Sequence, residues 1–144
     1  MDGSTRPPAW YWIVAVLALL WEATGCYFYV VQVRMDAADL AALPPQQAAA
    51  FAAMQSWQWS LFAVAVWAGL LGALGLLLRR RVLAVLGLWV SLIAAVIQYG
   101  YAFTTPEIQA MPAAEALPLP ISICVIGLAL VLFAGSAATR GWLR

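Results

Sequence analysis

The sequence contains no histidine and no lysine, and only 9 % of its 144 residues are charged. Without histidine the chain lacks the commonest metal ligand, haem ligand and general base, which disfavours a haem or transition-metal site and base-assisted catalysis. The net charge of +1 provides no basic field that would attract nucleic acid. Phosphate-cradling loops and nucleotide fingerprints are also missing. We therefore expect no enzyme, no cofactor, no metal site and no nucleic-acid partner.

Cysteine is scarce as well, with Cys26 and Cys124 both inside apolar segments. Their spacing matches no zinc or redox pattern, so we interpret them as small buried core residues. Each lies at a similar depth in its own apolar segment, so the two could be neighbours on different helices. The sequence leaves that question open.

What the chain has instead is apolar sequence, since 66 % of its residues are hydrophobic. Uncharged runs of about 20 residues are typical of membrane-spanning helices. We predict an all-α polytopic membrane protein, a single domain with four transmembrane helices in a bundle. The spans are expected at about 10–33, 57–78, 82–103 and 118–138, with outer loops 34–56 and 104–117. The first span is interpreted as uncleaved, because its apolar run continues past Cys26.

The first loop has helix signals of its own. Asp36 is predicted to cap a short helix through Leu43, and Pro45 suits the first turn of a second helix. No breaker separates Gln46 from the second span. The pattern therefore predicts one continuous helix from Gln46 to Leu78, about 50 Å long at 1.5 Å per residue.

Arginine placement predicts the orientation. Arg34 is the one arginine expected on the side of the two long loops. The other six share the opposite side: Arg6, Arg79, Arg80, Arg81, Arg140 and Arg144. By the positive-inside rule both termini are cytoplasmic, and the protein is expected to be multi-pass in the bacterial inner membrane. The triplet Arg79, Arg80 and Arg81 is foremost a topology determinant, and binding of lipid headgroups is its second interpretation.

Small and polar residues share one face of three spans, as expected where membrane helices pack on each other. In the first span that face includes Glu22, Gly25, Cys26 and Tyr29. In the third span it includes Ser91, Gln98 and Tyr101. The second span offers a close-packing strip of Gly69, Gly72 and Gly75.

Counted from the cytoplasmic ends, Glu22 and Ser91 both lie about 13 Å deep at 1.5 Å per residue. Tyr29 and Gln98 both lie at about 24 Å by the same count. If the first and third spans are neighbours, these side chains and Tyr101 form a polar column from the midplane to the outer surface. Such a column fits either a small-molecule pathway or ordinary hydrogen bonding between helices.

Glu22 is the residue whose position needs a reason, because a carboxylate in hydrocarbon costs at least about 2.5 kcal/mol. One interpretation is a proton- or cation-binding carboxylate that takes part in transport. The other is a protonated acid that is hydrogen-bonded across helices, for example to Ser91. Most of the eight tryptophans lie at span ends, where interface anchoring explains them. Trp21, beside Glu22, remains a candidate for a substrate or ion pathway.

Three segments resemble a group of small, uncharacterised proteobacterial inner-membrane proteins, some of which carry an automatic label of sugar transporter. The segments are Arg6-Pro7-Pro8-Ala9-Trp10-Tyr11-Trp12-Ile13, Leu77-Leu78-Arg79-Arg80-Arg81 and Arg140-Gly141-Trp142-Leu143-Arg144. The resemblance implies four helices in the inner membrane. It also implies an amide at the position of Glu22 in other members. The chain is also similar to small multidrug resistance transporters, but only in its layout of four helices with a single acid in the first.

Two functional classes follow. The first is an accessory or assembly subunit of a larger membrane complex, in which Glu22 is satisfied by neighbouring helices. The second is a small oligomeric transporter in which Glu22 binds a proton or cation. The expected partners are membrane lipids and either further copies of the chain or another membrane protein.

Overall fold

The computed structural model describes residues 5–144, and helices are the only regular elements in that part of the chain. Four helices are long and four are short. Their bounds are α1 Ala9–Val33, α2 Ala37–Ala41, α3 Pro45–Ala53, α4 Ser56–Leu77, α5 Arg81–Ala102, α6 Pro106–Gln109, α7 Ala113–Ala116 and α8 Pro118–Thr139.

The long helices α1, α4, α5 and α8 are each long and apolar enough to cross a membrane. Each begins and ends within one residue of a span expected from the sequence. The chain is therefore an all-helical, multi-pass membrane protein. Two ends can be distinguished: an arginine-rich end, formed by residues 5–8, 79–81 and 140–144, and a loop-bearing end, formed by residues 34–55 and 103–117.

Helix α4 is central to the packing, because it packs against both α1 and α5, while α8 packs against α5. Glycines allow the α4 and α5 backbones to approach closely. A Cβ atom on Gly72 would lie 2.7 Å from the backbone nitrogen of Leu88, and one on Gly87 would lie 2.7 Å from the nitrogen of Gly72. The glycine strip of α4 therefore packs directly against α5.

Burial along α1 follows helical spacing. The buried residues are Tyr11, Ala15, Ala18, Glu22 and Cys26. Bulky residues on the opposite side, among them Leu17, Leu20 and Phe28, are exposed. This is the expected arrangement of a membrane helix, with its small and polar face on protein and its aliphatic face toward lipid.

The prediction of one continuous helix from Gln46 to Leu78 is wrong, because α3 ends at Ala53 and α4 begins at Ser56. Gln55 has extended backbone there and caps α4. Its amide nitrogen donates to Oε1 of Gln58 at 2.9 Å, and its own Oε1 accepts from Nε1 of Trp57 at 3.0 Å. Glutamine is not among the favoured N-cap residues, so this start signal is easily missed.

The short helix predicted at the start of the first loop begins where the sequence predicts it. Asp36 caps α2 by accepting from the backbone nitrogens of Ala38 and Asp39, at 2.8 and 2.9 Å. Asp39 closes a capping box by accepting from the nitrogen of Asp36 at 3.1 Å. The helix ends at Ala41, two residues before the Leu43 expected from the sequence.

Aromatic side chains close the core at the arginine-rich end. Tyr11 is fully buried, and its hydroxyl donates to the backbone oxygen of Leu76 at 2.6 Å. Its ring centroid lies 5.5 Å from that of Phe133 and 5.8 Å from that of Trp142. Trp142 and Leu143 are themselves buried, so the segment after α8 folds back under the helices.

The turn between α4 and α5 has a Schellman-type end, in which the nitrogens of Arg79 and Arg80 donate to the oxygens of Leu76 and Gly75. Arg79 occupies the left-handed position, with φ of 55°. Glycine is the usual residue there, because other side chains strain in that conformation. Arg79 is held in place by hydrogen bonds from its guanidinium: Nε donates to the oxygen of Trp142 at 2.6 Å and Nη2 to that of Thr5 at 3.0 Å.

Candidate polar site in the helix core

The carboxyl group of Glu22 lies inside the packed helices. The residue is 8 % exposed and occupies the buried face of α1, between Ala18 and Cys26. It is the only acid in the four long helices of the chain. Its position follows from the three- and four-residue spacing of the small residues on α1, which turns that face toward α4.

The carboxyl group reaches into the space that the missing side chain of Gly69 leaves open. A Cβ atom on Gly69 would lie 2.6 Å from Cδ of Glu22 and 2.8 Å from Oγ of Ser91, and it would also meet Oε2 of Glu22. The carboxyl of α1 and the hydroxyl of α5 therefore converge on one point of α4. We call Glu22, Gly69 and Ser91 the polar junction.

The junction revises the polar column expected from the sequence. That column required the first and third spans to be neighbours, whereas α1 and α5 each pack mainly against α4. Glu22 and Ser91 come close to each other over Gly69, which has no side chain to separate them. The sequence placed Glu22 and Ser91 at the same depth, and the structure brings them close together. They approach each other over Gly69, which the sequence had marked only for helix packing.

Gly25 shows how the remaining glycines differ from Gly69. A Cβ atom on Gly25 would lie 3.4 Å from Cγ1 of Val66, which is ordinary van der Waals contact. On Gly75 a Cβ atom would lie 2.8 Å from Cα of Ala84, so the obstacle there is backbone. Gly72 and Gly75 thus serve helix contact, and Gly69 makes room for a carboxyl group.

Gln98 lies two helical turns beyond Ser91 on α5 and is also 8 % exposed. Its Oε1 is a buried side-chain oxygen without a hydrogen-bond partner among the described residues. Buried amide oxygens are normally paired, because leaving one unpaired costs about 1–3 kcal/mol. Gln98 is therefore the second polar group of the core whose position carries a cost.

The aromatic members of the expected column are distributed differently. Tyr29 packs edge-on against Phe62 of α4, with ring centroids 5.2 Å apart. Tyr101 is exposed and meets Trp57 of α4 at 4.7 Å. Trp21 is partly buried and packs against the apolar core. These residues pack beside α4 or the core, and the geometry brings only Glu22 and Ser91 together.

Cys26 makes a contact that the sequence did not indicate. Its thiol donates to the backbone oxygen of Val66 at 3.3 Å, one turn beyond the polar junction on α1. Cys26 and Cys124 are both free thiols. Cys26 thus bonds to α4, whereas Cys124 belongs to α8, which packs against α5.

The loop-bearing end has an open cavity of about 270 Å³ beside the end of α1. Its lining is mostly apolar and comes from α1, the α1–α2 turn, α2, α3 and α4. The lining residues are Gln32, Val33, Met35, Leu40, Phe51 and Trp59. Phe51 stacks on Trp59 at 6.2 Å, and Trp59 on Phe62 at 6.4 Å, so aromatic rings connect the loop helices to α4.

No model of a protein family, no curated protein and no solved structure matches this chain.

Proposed function

We propose that this protein is an accessory or assembly subunit of a larger complex in the bacterial inner membrane. In this proposal the four long helices form a bundle, both chain ends are cytoplasmic, and the loop-bearing end faces out. The arginine bias supports the orientation, since six of the seven arginines lie at one end. The chain supplies structure and a docking surface, with no catalytic role.

The observation that carries this proposal is the packing of Glu22. A transport carboxylate must be reached by water or substrate from at least one side. Glu22 is instead only 8 % exposed, and its carboxyl group lies close to the hydroxyl of Ser91 in the space above Gly69. Toward the arginine-rich end the same face of α1 continues into Ala18, Ala15 and Tyr11, all of which are buried. A carboxyl group enclosed in this way acts as a polar contact between helices.

The native thiol of Cys26 tests this enclosure, because it lies one turn from Glu22 on the same face and is buried. Maleimides react with the thiolate, which requires water. In the Cys124→Ala variant, a membrane-impermeant maleimide is expected to leave Cys26 unlabelled from either side of sealed vesicles. The positive control is Ala42→Cys in a Cys26→Ala, Cys124→Ala background. Labelling of Cys26 as fast as the control would contradict the proposal.

A partner protein is the second requirement. Membranes solubilised in a mild detergent are expected to yield this chain together with a different membrane protein, at a constant ratio through native gel electrophoresis and size-exclusion chromatography. A chain that migrates only as a monomer or homo-oligomer in both separations would contradict an accessory role.

A small oligomeric transporter is the second candidate, and two observations favour it. Glu22 has no cation near its depth, since the arginines lie at the helix ends or in the connecting segments. The unpartnered Oε1 of Gln98 adds a second polar group on the loop-bearing side of Glu22. For this candidate, Cys26 is labelled from one side, and Glu22→Gln abolishes proton-linked uptake into vesicles while Thr24→Ala leaves uptake unchanged.

A further inference from the structure

Three separate chain segments are tied together at the arginine-rich end. The hydroxyl of Thr5 donates to the backbone oxygen of Arg140 at 2.7 Å, which joins the segment before α1 to the end of α8. The guanidinium of Arg79 then joins the α4–α5 turn to both, through the backbone oxygens of Thr5 and Trp142. These bonds hold the segments in one arrangement, although each would be a free loop by itself.

Backbone hydrogen bonds also pair Arg144 with the α4–α5 turn. The nitrogen of Arg144 donates to the oxygen of Arg79 at 2.6 Å, and the nitrogen of Arg81 donates to the oxygen of Arg144 at 2.7 Å. Arg144 thus bonds to both chain neighbours of Arg80. Two residues of adjacent parallel strands are paired by hydrogen bonds in the same way. The backbones of these two exposed arginines therefore lie side by side.

This end carries a marked excess of positive charge. Five of its arginines are exposed, and we call them the arginine patch: Arg6, Arg80, Arg81, Arg140 and Arg144. Among the described residues the acids lie elsewhere, with Glu22 inside α1 and the other four in the loops of the opposite end. Like charges on directly paired residues destabilise the pairing. An anion bound between Arg80 and Arg144 would remove that repulsion.

We infer that the arginine patch is a binding site for the phosphate of an anionic phospholipid headgroup, with Arg80 and Arg144 on either side of it. Guanidinium groups suit phosphate because their planar set of donors binds its oxygens in pairs. The role assigned to the arginine triplet thereby changes. The guanidinium of Arg79 already donates to the backbone oxygens of Trp142 and Thr5. In binding phosphate, Arg140 and Arg144 therefore take the place that the sequence gave to Arg79.

The bilayer is the source of phosphate that the geometry favours. The patch lies at the ends of helices that are long and apolar enough to cross a membrane. Trp10 and Trp12, at the start of α1, expose about half and two-fifths of their surface at the same end. Tryptophan there is typical of the headgroup level of a bilayer. Lipid phosphate is therefore within reach of the patch, with the acyl chains beside the exposed faces of the helices.

The test is a lipid titration of the full chain in neutral detergent, with bound lipid counted by native mass spectrometry. Phosphatidylglycerol is expected to bind more tightly than phosphatidylcholine of the same acyl chains. Each arginine lost near a charged lipid weakens binding by about fivefold, so R80Q/R144Q is expected to raise the apparent Kd by about 25-fold. The matched control is R34Q, at the opposite end, which is expected to leave the Kd unchanged.

Folding of the variants is checked by the temperature at which Cys26 becomes reactive in detergent without added lipid. If R80Q/R144Q has lowered that temperature, R81Q alone is used and is expected to raise the Kd about fivefold. Equal binding of the two lipids, or an equal loss in R34Q, overturns the inference. Inorganic phosphate that binds as tightly as phosphatidylglycerol, and is lost in R80Q/R144Q, assigns the patch to a free anion and overturns the lipid source.

Discussion

Gly69 has the most specific task of any single residue, because it leaves the space into which the Glu22 carboxyl projects. We predict that Gly69→Ala is less stable than Gly100→Ala by about 1 kcal/mol, because its Cβ displaces the movable ends of the Glu22 and Ser91 side chains and so offsets the gain in helix propensity. The new Cβ atom would lie 2.6 Å from Cδ of Glu22 and 2.8 Å from Oγ of Ser91. The measurement is the free energy of unfolding in bicelles.

Gly100 provides the matched control, since a Cβ atom there would meet nothing within 4 Å. Alanine favours a helix interior over glycine by about 1 kcal/mol, so Gly100→Ala is expected to be neutral or stabilising. Equal effects of the two substitutions would show that Gly69 has no steric role at the polar junction.

Tyr11 contributes a buried hydrogen bond to the closure of the arginine-rich end. Its hydroxyl donates to the oxygen of Leu76 at 2.6 Å, and its side chain is 0 % exposed. Tyr11→Phe is expected to cost about 1 kcal/mol in the free energy of unfolding, the typical net value of such a bond. Tyr27→Phe is the control, because Tyr27 of the same helix is 65 % exposed. A loss of the same size at both positions would contradict the assignment.

At the scale of the elements, hydropathy and spacing predicted most of the fold. The four spans and the buried face of α1 follow from runs of apolar residues and from the placement of Ala15, Ala18 and Glu22. These features depend on local sequence alone. The membrane requires a long apolar helix wherever such a run occurs, so little tertiary information is needed.

What the sequence did not predict depends on contacts between distant residues. The approach of Glu22 to Ser91 needs the knowledge that their helices both pack on α4 and that Gly69 is at their depth. The break between α3 and α4 depends on side-chain hydrogen bonds of Gln55 and Gln58, which a propensity scale does not register. The inward direction of the Arg79 side chain depends on the return of the chain after α8.

Arg79 joins the α4–α5 turn to the chain segment after α8 at the expense of backbone strain, and two substitutions separate these effects. Arg79→Ala and Arg79→Gly both lose the bonds to Trp142 and Thr5, but only glycine adopts φ of 55° without penalty. We therefore predict that Arg79→Ala is less stable than Arg79→Gly by about 1 kcal/mol. Thermal unfolding of both variants measures the difference.

Wild type is expected to be more stable than either variant, because its guanidinium bonds offset the strain. If Arg79→Gly matched or exceeded wild type, the side-chain bonds would contribute nothing, and the arginine would serve only its charge. If alanine and glycine were equivalent, the left-handed backbone would not be a feature of the turn in solution.

In the molecule as a whole, two regions differ in how they use charge. The arginine patch gathers exposed cations at one end. The polar junction places one acid within the apolar helices, close to the hydroxyl of Ser91 on another helix. Between the two, Tyr11, Trp142 and Leu143 close the core with apolar surface. This separation suits the proposed accessory role, in which the interior would provide contacts between helices and the ends would meet the membrane and a partner.

The central claim, that Glu22 is an enclosed structural carboxyl group, is tested most directly by infrared spectroscopy of its carboxyl band in membranes. The accessory role requires a carboxyl group that is closed to water, so we predict a protonated carboxyl band that is absent in Glu22→Gln and does not titrate between about pH 5 and 9. Glu107→Gln and Glu115→Gln, in the loop-bearing end, identify the bands of exposed acids. A Glu22 band that titrates within that range would show a carboxyl group open to water, and it would replace the accessory role with that of a transporter.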